Sequence, residues 1–423
     1  MKKLKKIVLI ILLVFIIIML STQKIIATSS QSIIQPLEYS EDYKKWLKLS
    51  DEEKKKVIMP RIYDVPFSSS TNKNIIHQAQ MVGASLTQKY SLRNVIPENT
   101  KIRNQEQTNS CWAFAAISSL ETNLAMRNYR NPEYVSEIYD FSERHMEYAT
   151  SRIFANNQIN SIGFNRNVGD GGNYYIAETY LTTGAGAILE GDMPFENNED
   201  TINLSSIQNK TIASQVYDTI EFPNYQIYTE EKTEIMNQIK QHIQNYGAVF
   251  ACIHGNSSST TAFPCYNNDT GAKYCNNVFA HQYDHAVSII GWDDNYDINN
   301  FSEQARPTQN GAWIIRNSWG EKLEYRLAEL KEAIFEANKE QCIKRGWNTA
   351  EEIPNSIIEE NGYTIENDMA YMKIGDNGLM YVSYEDKNVG KALWGIIKAD
   401  GKVNYENIYK YDDYFPYAYI TLN

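Results

Sequence analysis

Cysteine is scarce in this chain, with five in 423 residues. The number is odd, so at least one thiol stays outside any internal pairing. Histidine is nearly as rare at six, which lets each be weighed separately as a catalytic base. Long apolar runs are missing apart from residues 7–20, about 14 residues, short for a membrane span. No cysteine follows that run, which argues against a lipoprotein anchor. No internal repeat is evident. Positive charge is in deficit: the formal net charge is −12, and residues 1–84 are basic on balance, so the acidic excess lies in the remainder. An acidic body argues against nucleic acid as a partner and favours solubility.

What is present begins with a targeting signal. Lys2, Lys3, Lys5 and Lys6 precede the apolar run, and Ala27-Thr28-Ser29 follows it. A charged start, an apolar stretch of signal length and a cut after Ala27 read as a secretory signal over residues 1–27. The membrane is then met only in transit, and the mature protein is expected to be secreted or on the cell surface. The alternative is an uncleaved anchor, since Ile25 is a poor residue at the position three before the cut.

Residues 28–84 read as a separate segment. Ser40 and Ser50 are helix-start signals, Ser50-Asp51-Glu52-Glu53 fits a capping box, and Pro60 ends the charged stretch Lys54-Lys55-Lys56. Ser68-Ser69-Ser70-Thr71-Asn72 is linker-like. The segment is either a disordered arm or a pro-segment lying over an active site.

The composition becomes that of a folded domain at about Ser85. A polar loop ends at Cys111, where a helical pattern starts with Ala113, Ile117, Leu120 and Leu124 on one face. Asn109 or Ser110 is the cap. A thiol at a helix N-terminus gains thiolate character from the unpaired N–H groups and the dipole. A lone cysteine is otherwise a small buried hydrophobe. Further helices are expected from Ser142, over 174–181, and from Thr229 with Ile235, Ile239 and Ile243 as its apolar stripe and Gly247 as its stop. Strands are expected over 248–253, 285–292, 311–316 and 379–384. Helices first and strands afterwards indicate an α+β protein in two lobes. Residues 321–374 interrupt two strands and read as an insertion, with Leu323, Leu327, Leu330, Ile334 and Ala337 as a helical stripe that Gly346 ends.

Cys265 and Cys275 flank a turn-rich segment and are disulfide candidates; a loop that short would stabilise by about 2–3 kcal/mol. Cys252, in an apolar run, is expected to be buried and inert, and Cys342 free. Cys111 is left without a structural task. A cysteine nucleophile needs a base and an orienting group. His77 precedes the folded domain, His145 and His242 sit on helices amid polar neighbours, and His254 and His281 border loops. His285 opens a strongly apolar strand, where it would be held rigidly. Asn317 can accept from an imidazole without titrating, and Trp319 can shield that bond from water. Asp293-Asp294-Asn295-Tyr296-Asp297 has alternating carboxylates but lacks the glycine and terminal glutamate of a calcium loop. His281 and His285 have no third ligand, so no metal and no cofactor are expected.

These motifs are similar to those of the papain-like cysteine peptidases. Gln105 through Phe114, ending Ser110-Cys111-Trp112-Ala113-Phe114, resembles that family's nucleophile stretch, with Gln105 six residues before Cys111. Asp284-His285-Ala286-Val287 and Asn317-Ser318-Trp319-Gly320 resemble its histidine and asparagine motifs, in the same chain order. Gly171-Gly172 resembles the glycine pair that binds extended substrate, and Trp319 is grouped with it on the substrate side. The resemblance implies a papain-like two-lobe fold over 85–423, a helical lobe and an antiparallel β-barrel-like lobe with the cleft between. It implies Cys111 as nucleophile, His285 as acid and base, Asn317 as its orienter and Gln105 as oxyanion donor. It also implies a secreted endopeptidase made as a zymogen and expected as a monomer, acting on protein or peptide and inhibited by its own pro-segment. A silent surface-binding module and a transpeptidase are the alternatives. Several features depart from the pattern. Thr108 stands where the family has its first cysteine, so the usual local disulfide is absent. Glu106 and Asn109 stand where glycines are common, and Asn109 can tolerate a left-handed backbone. The early segment lacks the long interwoven pro-helix signature. The 321–374 insertion begins just after Asn317 and Trp319, at the leaving-group side of the cleft or as a peripheral decoration.

Overall fold

The helix Cys111–Arg130 is the member against which much of the chain packs. The structure, a computed structural model, describes residues 39–54, 57–63, 86–106, 108–130, 138–195, 202–255, 265–267, 269–275, 284–303, 305–360, 363–373 and 378–400. The signal at 1–27, His77, His281 and the linker at 68–72 lie outside them. No helix among the described residues is long and apolar enough to cross a membrane.

Ala113, Ile117, Leu120 and Leu124 are all buried, but burial is not confined to their face. Ser118, Ser119, Thr122 and Asn123 are buried too. Three of them find backbone partners: Ser119 Oγ donates to Ala115 O, Thr122 Oγ1 donates to Ser118 O and accepts from Ala248 N, and Asn123 Nδ2 donates to Tyr246 O and Ile396 O. A helix enclosed on nearly all sides can carry such residues only when they bond in this way.

Among the described residues the β-rich part of this α+β fold is an open sheet of nine strands, with no closed barrel. Its order is Gln215–Phe222, Leu393–Asp400, Val249–Ile253, His285–Asp293, Ala312–Arg316, Leu379–Ser383, Ala272–Lys273 and Tyr266–Asn267, with Lys89–Ser91 also paired to His285–Asp293. Neighbours are antiparallel except Leu379–Ser383 with Ala272–Lys273. The period of two sorts residues between two cores. Phe250, Cys252 and Ala286 join the Cys111 helix and the helix Tyr174–Thr182. Val249, Ala251, Ile253, Val287 and Ile289 join Ile235, Ile239 and Ile243 of the helix Lys232–Tyr246. That helix starts three residues later than Thr229, with Glu231 at its N-cap position. Gly247 ends it at φ 112.

Residues 321–374 leave from between Ala312–Arg316 and Leu379–Ser383, which pair directly with each other. The excursion has a three-stranded sheet of Lys322–Arg326, Thr364–Glu366 and Met369–Lys373 and a core that includes Leu330, Phe335, Ile353 and Ile358. Leu323 is on a strand, not on the helical stripe, because Lys322–Arg326 pairs with Met369–Lys373. The hairpin turns on Asn367 and Asp368 at φ 50 and 62, the backbone that two-residue hairpin loops favour. The helix Leu327–Ala337 breaks at Asn338, and a second helix, Lys339–Lys344, precedes Gly346.

Residues from Ser40 on belong to one compact unit with the rest. Ser40 caps the helix Glu41–Trp46 through Tyr43 N, and Ser50 and Glu53 exchange a capping box. Beyond these short helices Ile58 is buried in the cluster that holds Cys111 and Trp112.

Candidate active site

Ser110 is the residue at the N-cap position of the Cys111 helix, since its carbonyl accepts from Ala113 N and Phe114 N. Its hydroxyl is buried without a partner among the described residues. Cys111 therefore sits in the first turn, and its sulfur is met by the backbone N–H groups of Ala286, Trp112 and Cys111 itself. The sequence alone suggests a thiolate here, and the structure corrects that. Cys111 is 6% exposed. Burial pushes the thiol up to about 11, outweighing the three N–H groups, and the Asp284 carboxylate adds to the rise.

Ala286 is the next residue after His285, so the strand that carries the imidazole also touches the thiol. His285 Nε2 lies 2.7 Å from Asn317 Oδ1. The same oxygen accepts from Ser318 N at 2.7 Å. Two donors on one oxygen fix the amide orientation, so Nε2 carries the ring proton in the neutral imidazole and Nδ1 keeps its lone pair. Trp319 stacks on the His285 ring, centroids 4.5 Å apart and planes 25° apart, and covers this bond. Burial pushes His285 down to about 4, against the raising effect of the Asn317 bond and Asp284. Burial thus favours the neutral forms of both the thiol and the imidazole.

Gln105 is bound at both ends of its amide. Its Oε1 accepts from Ser318 Oγ at 2.6 Å, and its Nε2 donates to Thr108 O at 2.7 Å. Its backbone N donates to Ser318 O at 2.7 Å, and Gly320 N donates to Arg103 O at 2.8 Å. The stretch 103–105 is thereby zipped to 318–320. Thr108 Oγ1 donates to Gln105 O at 2.6 Å, so a hydroxyl closes the loop. The left-handed residue of that loop is Glu106, at φ 53, not Asn109. Asn109 instead donates from Nδ2 to Gly169 O at 2.8 Å, tying the loop to the glycine turn. Glu106→Gly should therefore stabilise the protein by about 1 kcal/mol, read as an upward shift of the urea midpoint at constant slope. An unchanged or lower midpoint would mean that Glu106 bears no strain.

Gly172 lies against Trp112, the residue after Cys111. Gly171 is at φ +74, and a Cβ on Gly172 would stand 2.4 Å from the Trp112 ring. Only glycine lets this backbone lie so close to Trp112.

The remaining histidines serve elsewhere. His145 is buried, with its ring bonded to Tyr180 OH at 2.7 Å and Ile207 O at 3.1 Å. His242 is fully buried against Phe222, and burial drives it down to about 3. His242 lacks the polar surroundings that its sequence neighbours suggest. His254 lies 3.5 Å from Asp284. Cys252 and Cys342 are buried. Cys265 and Cys275 are separate thiols in hydrogen-bonding contact, not a disulfide. The carboxylates after Trp292 are engaged: Asp293 with Lys89 at 2.8 Å, Asp294 with Lys240 at 2.6 Å and Tyr384 OH at 2.7 Å, and Asp297 with Asn299 N at 2.8 Å.

Two supports are invisible to periodicity. Ser318 positions both Asn317 and Gln105, and only its place inside the Asn317 motif hints at that. Arg103, two residues before Gln105, pairs with Glu121 of the Cys111 helix at 2.7 Å and with Glu143 at 3.2 Å, both carboxylates buried. Arg316 approaches Glu121 at 3.5 Å.

A family described as papain family cysteine protease matches residues 86–326, more than half of the chain. Cathepsin J of Mus musculus is 24% identical over 224 residues, covering 53% of this chain and 54% of that protein. Cysteine proteinase 1 of Entamoeba histolytica is 29% identical over 224 residues, covering 52% and 56%. The chain spans about half the length of the curated relatives it matches. In structure it resembles the cysteine protease and lectin-like domains of Cwp84, a surface layer associated protein of Clostridium difficile. The TM-score is 0.56 at 23% identity, over 86% of this chain and 61% of that one, a likeness of fold.

Proposed function

Because this chain belongs to the papain family of cysteine proteases, we propose that it is a cysteine endopeptidase that hydrolyses peptide bonds through Cys111, His285 and Asn317. The observation that carries the reading is the double acceptance at Asn317 Oδ1, which leaves His285 Nδ1 as the base on the strand that touches the Cys111 thiol. In the reaction the Cys111 proton passes to His285, and the sulfur attacks the scissile carbonyl carbon. The oxyanion takes hydrogen bonds from Cys111 N–H and the Gln105 Nε2 hydrogen not used by Thr108. The C–N bond breaks as His285 protonates the amine. Water, deprotonated by the same imidazole, then attacks the thioester, and the acid leaves as the sulfur regains its proton.

The signal over 1–27 and the pro-segment over 28–84 make this a secreted or cell-surface zymogen in our reading. The buried state of Cys111 and the presence of Ile58 in its cluster support a covering role for that segment. The deciding experiment is labelling of the matured protein by a peptidyl epoxide. Cys111 should carry the label and Cys111→Ala should take none; a matured protein that binds no probe would favour a silent binding module.

The buried thiol leads to a pH prediction. In the full chain the sulfur deprotonates only toward about 11, so alkylation of Cys111 should be slow at pH 7 and rise with pH. Removal of residues 28–84 lifts the burial penalty and leaves the N–H groups in place. The midpoint of the alkylation profile should then fall into roughly the 4–7 range, where paired thiols titrate. Equal profiles before and after removal would reject a covering role.

A further inference from the structure

Arg61 is buried in the body of the protein at 3% exposure, though it belongs to the segment before the folded domain. Its Nε lies 3.3 Å from Glu221 Oε2, and its Nη2 donates to Leu393 O at 3.1 Å. Tyr174 OH donates to the same Glu221 oxygen at 3.2 Å, and Ile62 N donates to Tyr175 OH at 3.2 Å. Tyr174 is two residues beyond Gly172, and Leu393 pairs with Ala251 beside Cys252. Ile58, three residues before Arg61, is buried in the cluster of Cys111, Trp112, Tyr174, Cys252 and Ala286. The segment thus shares a core cluster with Cys111 and delivers a cation to Glu221 beside Tyr174, which follows the glycine pair by two residues.

The seat fits a guanidinium in charge but not in detail. Arg61 Nε meets Glu221 only in ion-pair contact at 3.3 Å, and Nη1 is buried without a hydrogen-bond partner among the described residues. A buried ion pair with unmet donors costs desolvation that it does not fully recover, which is how a replaceable occupant is held, not a permanent one. When the segment leaves, Glu221 loses its cation while Tyr174 and the Leu393 carbonyl stay around it, and a new cation restores the pairing.

We propose that Glu221, with Tyr174 and the Leu393 carbonyl, is the specificity-determining seat for an arginine or lysine side chain of the substrate, held by Arg61 until the segment is removed. The proposal rests on the peptidase reading given above. Arginine is preferred over lysine, because the planar fork reaches a carboxylate and a carbonyl together.

The test is a positional peptide library with the matured enzyme. One position should favour Arg over Leu by about tenfold or more in kcat/KM. Glu221→Gln should collapse that Arg-to-Leu ratio toward one, and Glu221→Arg should turn the preference at that position to Glu or Asp, a gain that misfolding does not produce. A library with no basic preference, or one whose preference survives Glu221→Gln, overturns the proposal. A second arm needs no catalysis. In the full chain Arg61→Ala should lower the unfolding midpoint, and added ethylguanidinium should restore it, but not when Glu221→Gln is also present. No restoration counts against the seat. Restoration together with absence of both epoxide labelling and peptide cleavage would keep the seat and reject the peptidase reading.

Discussion

His285→Ala in the matured protein should lower kcat by roughly 10³–10⁴-fold with little change in KM. The imidazole is asked to take a proton from the thiol and return it to the amine, and no neighbour can take over. His254 is the nearest candidate in sequence terms, but it faces Asp284. His145 and His242 are buried in neutral contacts far along other elements. Asn317→Ala should cost less, since it removes the orienter and leaves the base. The two losses should not multiply, because Asn317 acts through His285. The same holds for Cys111→Ala combined with His285→Ala, where the double variant should be no slower than Cys111→Ala alone. Folding effects are separated by the unfolding midpoint, which should move modestly, as His285 makes only one side-chain hydrogen bond that the structure identifies. A His285→Ala enzyme within tenfold of the parent would remove His285 from catalysis.

The reach of sequence reasoning follows the range of the interactions involved. Motif spacing singled out Cys111, His285, Asn317 and Gln105, and in the structure His285 bonds to Asn317 while Gln105 bonds to the neighbouring Ser318. Apolar periodicity located Ile235, Ile239 and Ile243, which contact one core through one helix face. It failed at Leu323, where an i, i+4 pattern continued backward into a strand whose partner, Met369–Lys373, is more than forty residues away. It did not reach the rest of the Cys111 helix either: Thr122 and Asn123, off the apolar stripe, are buried and bond to Ala248 N, Tyr246 O and Ile396 O of neighbouring elements. The barrel expectation failed because the outer strands of the sheet, Gln215–Phe222 and Tyr266–Asn267, do not pair with each other. Electrostatics were the least legible. A helix N-terminus predicts a thiolate only in water or a polar cleft, and the burial that pushes the Cys111 thiol up comes from tertiary packing with no local sequence pattern. The Arg103, Glu121 and Glu143 set joins three distant stretches and has no local pattern at all.

Gln105→Ala should lower kcat by about 10²–10³-fold while KM changes little, because its free Nε2 hydrogen meets charge that exists only in the transition state. The geometry makes this donor unusually well defined. Oε1 is taken by Ser318 Oγ at 2.6 Å, so the amide cannot flip without breaking that bond. One Nε2 hydrogen goes to Thr108 O at 2.7 Å, which leaves one for the oxyanion. Alanine loses both, so loop disorder could mimic loss of the donor. Gln105→Glu separates them. It keeps the side-chain shape but turns the donor end into an acceptor facing both Thr108 O and the oxyanion, so its kcat should fall at least as far as that of alanine. Thr108→Val gives the complementary measure. It removes the Oγ1 bond to Gln105 O at 2.6 Å but keeps the carbonyl that Nε2 uses, so it should loosen the loop and cost far less in turnover than either Gln105 variant. If Thr108→Val matched Gln105→Ala, the loop and not the amide would be responsible. If Gln105→Ala left kcat unchanged, the oxyanion would depend on the backbone N–H of Cys111 alone.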